Sequence, residues 1–449
     1  MQSFEIDKTD LQRIKAALER DDAELETILQ EYHASEIAII FEKLPHEAKE
    51  KIISILPAQF ASEVISEMDE EHHPEEILIS LDPEKRSEIV EELDYDVATD
   101  IISQLDEEDQ QEILEDLNEE DATHIRTLLT YDEDTAGGLM NTDVIKVNVC
   151  LNKKNALDEV IRQSEEMEEF YTIYAIDDEG TLQGIVSVKS IIKARADAKI
   201  KDLLVNEFVY VEAHVDQEEV ARLISQYNLT SIPVVDADMK LLGRITVDDI
   251  IDVMEEENTE DILKISGVSE DEELAGSWQD AVKSRLPWLI VNLGTAFLAA
   301  SVIRSFDDTA KKLPIVAAYI VIIASMGGNA ATQALAVTVR RISLSDLSDR
   351  QAYVTVLKEF LVGMINGATN GVIVFAVAYF YDANPMLGLV MFLAMTGNLI
   401  IAGLTGATIP LILKRVGIDP AVASSIIITT FTDCIGFLLP LWLASKLLL

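Results

Sequence analysis

The sequence predicts a multi-domain membrane protein: an N-terminal α-helical solenoid, a tandem pair of α/β modules, a connecting helix and a five-helix transmembrane domain. Three observations predict it. The 449 residues carry 81 Asp and Glu against 35 Lys and Arg, a formal net charge of −46, yet 49% of them are hydrophobic and the mean hydropathy is +0.17. Only eight of the acids but 12 of the bases lie after residue 281, so a very acidic stretch precedes an apolar one. The apolar stretch holds runs near 286–305, 314–338, 354–380, 386–412 and 421–446. Each is near or above the ~20 residues that a helix needs to cross ~30 Å of hydrocarbon.

The domains are therefore expected at 1–131 (acidic helical repeat), 132–255 (tandem α/β pair), 256–283 (connecting helix) and 284–449 (five spans). In the first, a Leu or Met followed by Pro, Asp or Asn recurs at Leu44-Pro45, Leu56-Pro57, Met68-Asp69, Leu81-Asp82, Leu93-Asp94, Leu105-Asp106 and Leu117-Asn118, every 12 or 13 residues. Each unit reads as a cap residue followed by one short helix with apolar positions three and four apart. One such helix cannot bury its own apolar face, so the units must stack.

In the second domain, VIKVNV (144–149), a helix near 155–169, TIYAID (172–177), GIVSV (184–188) and a helix from 189 form one copy. FVYVEA (208–213), DQEEVARLISQY (216–227), SIPVVD (231–236), GRITV (243–247) and a helix from Asp248 form the other. Strands alternating with helices mean a packed α/β unit, here twice. Residues 256–283 read as a polar, amphipathic helix leading directly into the first span.

The first 30 residues show no charged-then-apolar leader pattern, so the acidic part is expected in the cytoplasm. Five spans then leave the C-terminus outside. Lys283, Arg285, Arg340, Arg341, Arg350, Lys358, Lys414 and Arg415 fall inside, and Arg304, Lys311, Lys312 and Lys446 outside, in keeping with the positive-inside rule. Pro314, Pro410 and Pro440 can break helices, which lipid tolerates only when the freed backbone groups find partners or line a wet cavity. Asp433 stands deep in the last run, where a carboxylate is costly and must face the bundle interior, a partner or a cation. Asn329 and Asn398 are further polar groups at membrane depth.

Other classes drop out. A chain this acidic repels phosphates and is no nucleic-acid binder. It has no GxxxxGK[ST] and no HExxH, and only one Asp lies deep in a span, so neither a P-loop ATPase nor a membrane protease is expected and the chain is read as no enzyme. Cys150 and Cys434 fall in different regions and imply no disulfide framework.

The stretches TAGGLMNTDVI (135–145), DQEEVARLI (216–224), GRITVDDIIDVMEEENTEDI (243–262), MGGNAATQ (326–333) and GIDPAVASSIIITTFTD (417–433) carry a resemblance. On them the chain resembles the MgtE family of magnesium channels and transporters over nearly its whole length. The α/β pair resembles the CBS (cystathionine β-synthase-type) module. The resemblance implies a homodimer in the lipid of the plasma membrane, without nucleic acid, whose pore takes up Mg²⁺. It implies Asp433 as the pore carboxylate holding hydrated Mg²⁺, with Gly327, Gly328 and Asn329 lining the path. It further implies sensing of cytoplasmic Mg²⁺ by Glu63, Asp96, Asp100, Asp216, Glu218, Asp249, Asp252, Glu257, Glu260, Asp261 and Asp419, the bound ion closing the pore through the connecting (plug) helix.

Physics runs alongside. Mg²⁺ keeps several of its waters, so a pore needs few direct carboxylates. Repulsion within the acidic part is confined by screening to roughly 8–10 Å, and an ion bridging close carboxylates stabilises the compact arrangement by mass action. Two alternatives stay open: a pore for another divalent ion such as Co²⁺, Mn²⁺ or Ca²⁺, because carboxylates and water discriminate poorly, and a membrane Mg²⁺ sensor that conducts nothing. Some family members bind ATP in the CBS pair. Here Thr172, Leu229 and Ser190 occupy the corresponding places beside Thr246 and Asp249, so weak or absent ATP binding is expected.

Overall fold

The computed structural model describes residues 8–449 apart from 19, 21, 42, 70–71, 165–169, 171, 196, 206, 269–277, 345–347 and 422–423. The chain divides into two compact units, residues 1–254 and 255–449.

The first unit opens with short helices: α1 (Lys8–Leu18), α2 (Asp22–Leu29), α3 (Ala34–Phe41), α4 (His46–Ile55), α5 (Ala58–Ser66), α6 (Pro74–Ser80), α7 (Pro83–Val90), α8 (Tyr95–Ser103), α9 (Glu107–Asp116) and α10 (Glu119–Leu128). Helices this short are marginal alone and depend on tertiary packing. They stack alternately: α2, α4, α6, α8 and α10 form one row, and α3, α5, α7 and α9 the other. Ile37, Phe41, Ile52, Ile65, Ile77, Ile89, Ile102 and Ile113 are buried in the core they share. The caps only partly follow the sequence pattern. Asp106 and Asn118 accept hydrogen bonds from the backbone N–H groups that open α9 and α10, whereas Asp82 and Asp94 occupy cap positions without such a bond. The unit expected to start at Asp69 instead starts at Pro74, after His73 in a left-handed conformation (φ 52°). Proline suits the first helical position, where its missing N–H would be unpaired anyway.

The α/β pair comprises β1 (Lys146–Asn148), α11 (Lys153–Gln163), β2 (Thr172–Ile176), β3 (Leu182–Ser187) and α12 (Val188–Lys193), then β4 (Val211–Glu212), α13 (Gln217–Tyr227), β5 (Ser231–Val235), β6 (Leu241–Thr246) and α14 (Val247–Ser266). Each copy holds a three-stranded sheet, with a parallel pair followed by an antiparallel one. Both antiparallel pairs shift register at the same point, between Ala175 and Ile176 and between Val234 and Val235, as a repeated module should. The copies meet through Tyr174, Leu182 and Val235, with the Tyr174 hydroxyl 3.2 Å from Ser231 Oγ. β1 and β4 are shorter than the apolar runs suggest, pairing with β2 and β5 over three and two residues. α11 ends at Gln163, and residues 165–169 of the helix expected there lie outside the described residues.

α14 passes without interruption through residue 255, and Gly267, at φ 76°, follows its end. The connecting stretch 256–283 is therefore not one helix. Its first part belongs to α14, and helix resumes at Trp278; residues 269–277 lie outside the described residues.

The second unit continues with α15 (Trp278–Ser305), α16 (Asp307–Lys312), α17 (Pro314–Leu344), α18 (Asp349–Phe380), α19 (Pro385–Val416) and α20 (Ser424–Leu447). Among the described residues five helical segments are long and apolar enough to span a membrane: 281–305, 314–343, 349–380, 385–416 and 426–447. α19 lies at the centre and packs on α17, α18 and α20, while α15 packs on α20. Gly363, Gly367 and Gly371 stand four apart along α18. A Cβ on each would come within 2.6, 2.9 and 2.8 Å of atoms of α19. Without a side chain the two backbones approach closely, which is how small residues join helices in lipid. Pro314 begins α17 as a breaker should, but Pro410 and Pro440 lie inside α19 and α20, and Pro287 inside α15. Neither Pro410 nor Pro440 ends its helix. A proline removes one backbone hydrogen bond, and a helix held by neighbours absorbs that loss without ending. Both cysteines are free.

Candidate ion pathway and acidic sites

Asp433 lies nine residues into α20, about 14 Å along its axis at 1.5 Å per residue. Its side chain is half-buried and has no hydrogen bond or ion pair among the described residues. Thr432 beside it is fully buried and spends its hydroxyl on the Ile428 carbonyl at 3.0 Å. One turn on, Gly436 lets α20 close on α17: a Cβ there would stand 2.9 Å from Ala324 Cα. On α17, the segment Gly327–Gly328–Asn329 is helical. Gly327 is buried against Asn398 of α19, Gly328 faces open space and its carbonyl accepts the Thr332 hydroxyl at 3.1 Å, and Asn329 is exposed. The Gly328 carbonyl is therefore held in the helix rather than freed for a ligand.

A second acid in the bundle does not stand out from the sequence. Glu359 is 7% exposed on α18, and its carbonyl would lie 2.7 Å from a Cβ on Gly403 of α19. It follows Lys358 near the start of a span, so in sequence it reads as an interfacial pair. Only its depth in the packing separates it from one.

The expected sensing acids sort into three settings. Asp96 and Asp249 face one another inside the first unit. Asp96 is buried and accepts from Asn141 Nδ2 at 3.3 Å and from the Val97 N–H at 3.0 Å. Burial, then the charge of Asp249 and Asp94, pushes its carboxyl well above the usual aspartate range; Asp100 adds to the same field. Asp249 accepts from the Thr246 N–H at 3.0 Å and hydroxyl at 2.6 Å, and burial still raises its carboxyl. Asp216 caps α13 by accepting from the Glu218 N–H at 2.9 Å, and it lines an open polar depression with Asp132, Glu133, Asp134 and His214. Glu63 is exposed on α5, and Asp252 is exposed on α14.

The third setting belongs to the second unit, where the end of α14 meets the end of α17 and the loop before α20. Arg340 Nη1 donates to Asn258 Oδ1 at 2.6 Å, and the Ser343 hydroxyl donates to Asp261 Oδ2 at 3.1 Å. Lys264 bridges Glu260 on its own helix and Asp419, the latter at 3.1 Å. Ile265 packs on a cluster containing Leu335, Val339, Ala402 and Ile428. Burial raises the Asp261 carboxyl, the Ser343 bond opposes this, and Asp419 adds to it. Glu257 is half-buried on the same helix. The i,i+4 spacing of Glu260 and Lys264 is visible in the sequence, but nothing there marks Asp419 as a partner of Lys264 or Arg340 as a neighbour of Asp261, because a single chain's pattern does not report pairing between distant segments. Among the described residues no group of three or more His, Cys, Asp or Glu side chains is gathered closely enough to hold a metal ion. The acids therefore come as pairs.

Residues 320–443 match a family profile described as a divalent cation transporter, residues 32–134 one described as the MgtE intracellular N domain, and residues 200–256 a CBS domain. Fold and profiles together define a membrane transporter for divalent cations built on an intracellular helical domain and a CBS pair. The magnesium transporter MgtE of Enterococcus faecalis is 36% identical over 321 residues, 72% of this chain and 71% of that one. The magnesium transporter MgtE of Thermus thermophilus is 31% identical over 439 residues, 97% of each chain. The chain belongs to the MgtE family of magnesium transporters. A solved cytosolic domain of the Mg²⁺ channel MgtE in complex with ATP is 32% identical, with a TM-score of 0.51, over 55% of this chain and 99% of that one. That complex removes the ground for expecting weak ATP binding from three substituted side chains.

Proposed function

We propose that the chain is a Mg²⁺-selective channel for Mg²⁺ uptake across the plasma membrane, working as a homodimer and closed by cytoplasmic Mg²⁺. Membership of a family of magnesium transporters supports the cargo. The observation that carries the pathway is Asp433, a half-buried carboxylate in the middle of a span, with no side-chain partner among the described residues. A lone anion at that depth is costly unless a cation shares it. One Asp433 from each subunit would suit a divalent ion that keeps its water. Gly327, Gly328 and Asn329 belong to α17, which packs on α20, and so to the same path. The N-terminal unit lies in the cytoplasm, and five spans leave the C-terminus outside.

Closure follows from charge. The charge of Asp249 acts on Asp96 and that of Asp419 on Asp261, in a chain of net charge −46; Asp100 and Glu260 share the helices of Asp96 and Asp261, and Asp216 and Glu218 stand at the start of α13. An ion bridging such pairs, with waters or the second subunit completing its shell, favours the arrangement that brings them together. Glu63, Asp252 and Glu257 join them only through such an assembly. α14 then carries the state of the CBS pair to the mouth of the bundle. ATP is kept as a ligand of the CBS pair, on the strength of the relative solved with it; calorimetric titration of the purified chain should detect binding, and a flat titration would remove it.

The decisive experiment is Mg²⁺ flux into liposomes carrying the purified chain. Wild type should conduct, and Asp433→Ala should lower flux at least a hundredfold while remaining a folded dimer. Equal flux from that variant would overturn the pathway. Wild-type liposomes that pass no ion would favour a sensor that conducts nothing, and competition by Co²⁺, Mn²⁺ or Ca²⁺ would measure selectivity.

A further inference from the structure

Asn398 is fully enclosed in α19. Its Nδ2 donates to the Ile323 carbonyl of α17 at 2.8 Å. A carbonyl oxygen only accepts, so this bond fixes which way the amide lies. Its Oδ1 is then buried with no partner among the described residues. The same amide fills the place that a side chain on Gly327 would need, since a Cβ there would stand 2.2 Å from Nδ2. It also reaches α20, where a Cβ on Gly436 would stand 3.3 Å from Nδ2. Asn398 thus sits where three helices meet. It touches α17 at the turn that leads into Gly328 and Asn329, and α20 three residues beyond Asp433, on the same side of that helix.

We propose that Asn398 is a positioning residue for ion discrimination. It sets the height of the Gly327–Gly328–Asn329 turn against the Asp433 side of α20, and its spare Oδ1 anchors a water at the junction. A leucine of similar volume would fill this space without stranding an acceptor. The donor bond to Ile323 already joins α19 to α17; the buried acceptor is what that bond leaves over, and in an enclosed site a donor of suitable size for it is water. A hydrated Mg²⁺ is read through its shell, so the spacing of the groups around that shell decides which ion passes. Small shifts of α17 along α20 change this spacing without changing the charge at Asp433.

The inference rests on the reading that ions pass Asp433, and the test separates the two. Flux of Mg²⁺ and of Ca²⁺ is measured in liposomes for wild type, Asn398→Leu, Asn398→Ala, Gly327→Ala, the double variant Gly327→Ala/Asn398→Ala, and Asp433→Ala. Asn398→Leu should assemble normally and lower the ratio of Mg²⁺ to Ca²⁺ flux at least tenfold. Gly327→Ala alone collides with the amide and should yield little folded protein. Removing the amide in the double variant should restore folding but not the ratio. A role in packing alone would lower both fluxes together and leave the ratio within twofold, and that result overturns the inference if Asp433→Ala is silent. Should Asp433→Ala conduct like wild type, the pathway itself is wrong, whatever the Asn398 variants do.

Discussion

At Asp96 a carboxylate is enclosed within the field of Asp249, and among the described residues Asn141 and the Val97 N–H donate to it. An acid whose folded-state value lies above its ordinary value of 3.8 holds more protons in the folded than in the unfolded state. Its ionisation therefore costs stability as pH rises through the folded value, and stability returns as pH falls, levelling off below 3.8. In chelator, thermal unfolding of the first unit should move up by a few degrees as pH is lowered from about 8 to about 5. Asp96→Asn should be the more stable protein at the high end and show a flatter profile. A variant with the wild-type slope would mean that Asp96 is not the group responsible. Asp433 was legible as a lone acid in an apolar run. Gly327 and Asn398 were visible only as separate small and polar residues, because no periodicity reports that one fills the space of the other.

Among elements, the 12-residue step of the solenoid was legible because each helix needs an apolar stripe, and the stripe repeats. The helix starts were less so. Asp82 and Asp94 stand at cap positions without bonding; Pro83 opens the first of these helices, and buried Ala98, Ile101 and Ile102 hold the second in the core. The glycine seam between α18 and α19 was hidden, as it depends on which faces meet. The contacts made by the end of α14 are another such case. Arg340→Ala removes the donor to Asn258 from the end of α17. An exposed charged contact contributes roughly 1 kcal/mol or less, so the Mg²⁺ concentration that closes the pore should rise by about fivefold at most. Patch recordings at graded cytoplasmic Mg²⁺ measure it, and an unshifted midpoint would show that this contact does not hold the closed state.

For the whole molecule, segregation of charge was the most legible property. Nearly all acids precede residue 281 and all five spans follow it, so a soluble and a lipid-facing part could be told apart before any helix was drawn. The junction was not legible. A polar amphipathic stretch reads as one helix from 256 to 283, whereas the backbone turns at Gly267 and resumes regular helix at Trp278. A glycine of positive φ stops a helix that composition alone would continue.

The unbroken course of α14 from Val247 to Ser266 constrains what can change in this chain. Asn258, Asp261 and Lys264 recur every three residues, so Arg340, Ser343 and Asp419 are met along one stripe of the helix. Inserting a single residue between Val247 and Asn258 would turn that stripe by about 100° relative to the first turn of the same helix, and an addition near a whole turn would restore its phase with that turn. Exposed positions along α14 can therefore drift in sequence far more freely than the helix can change its length.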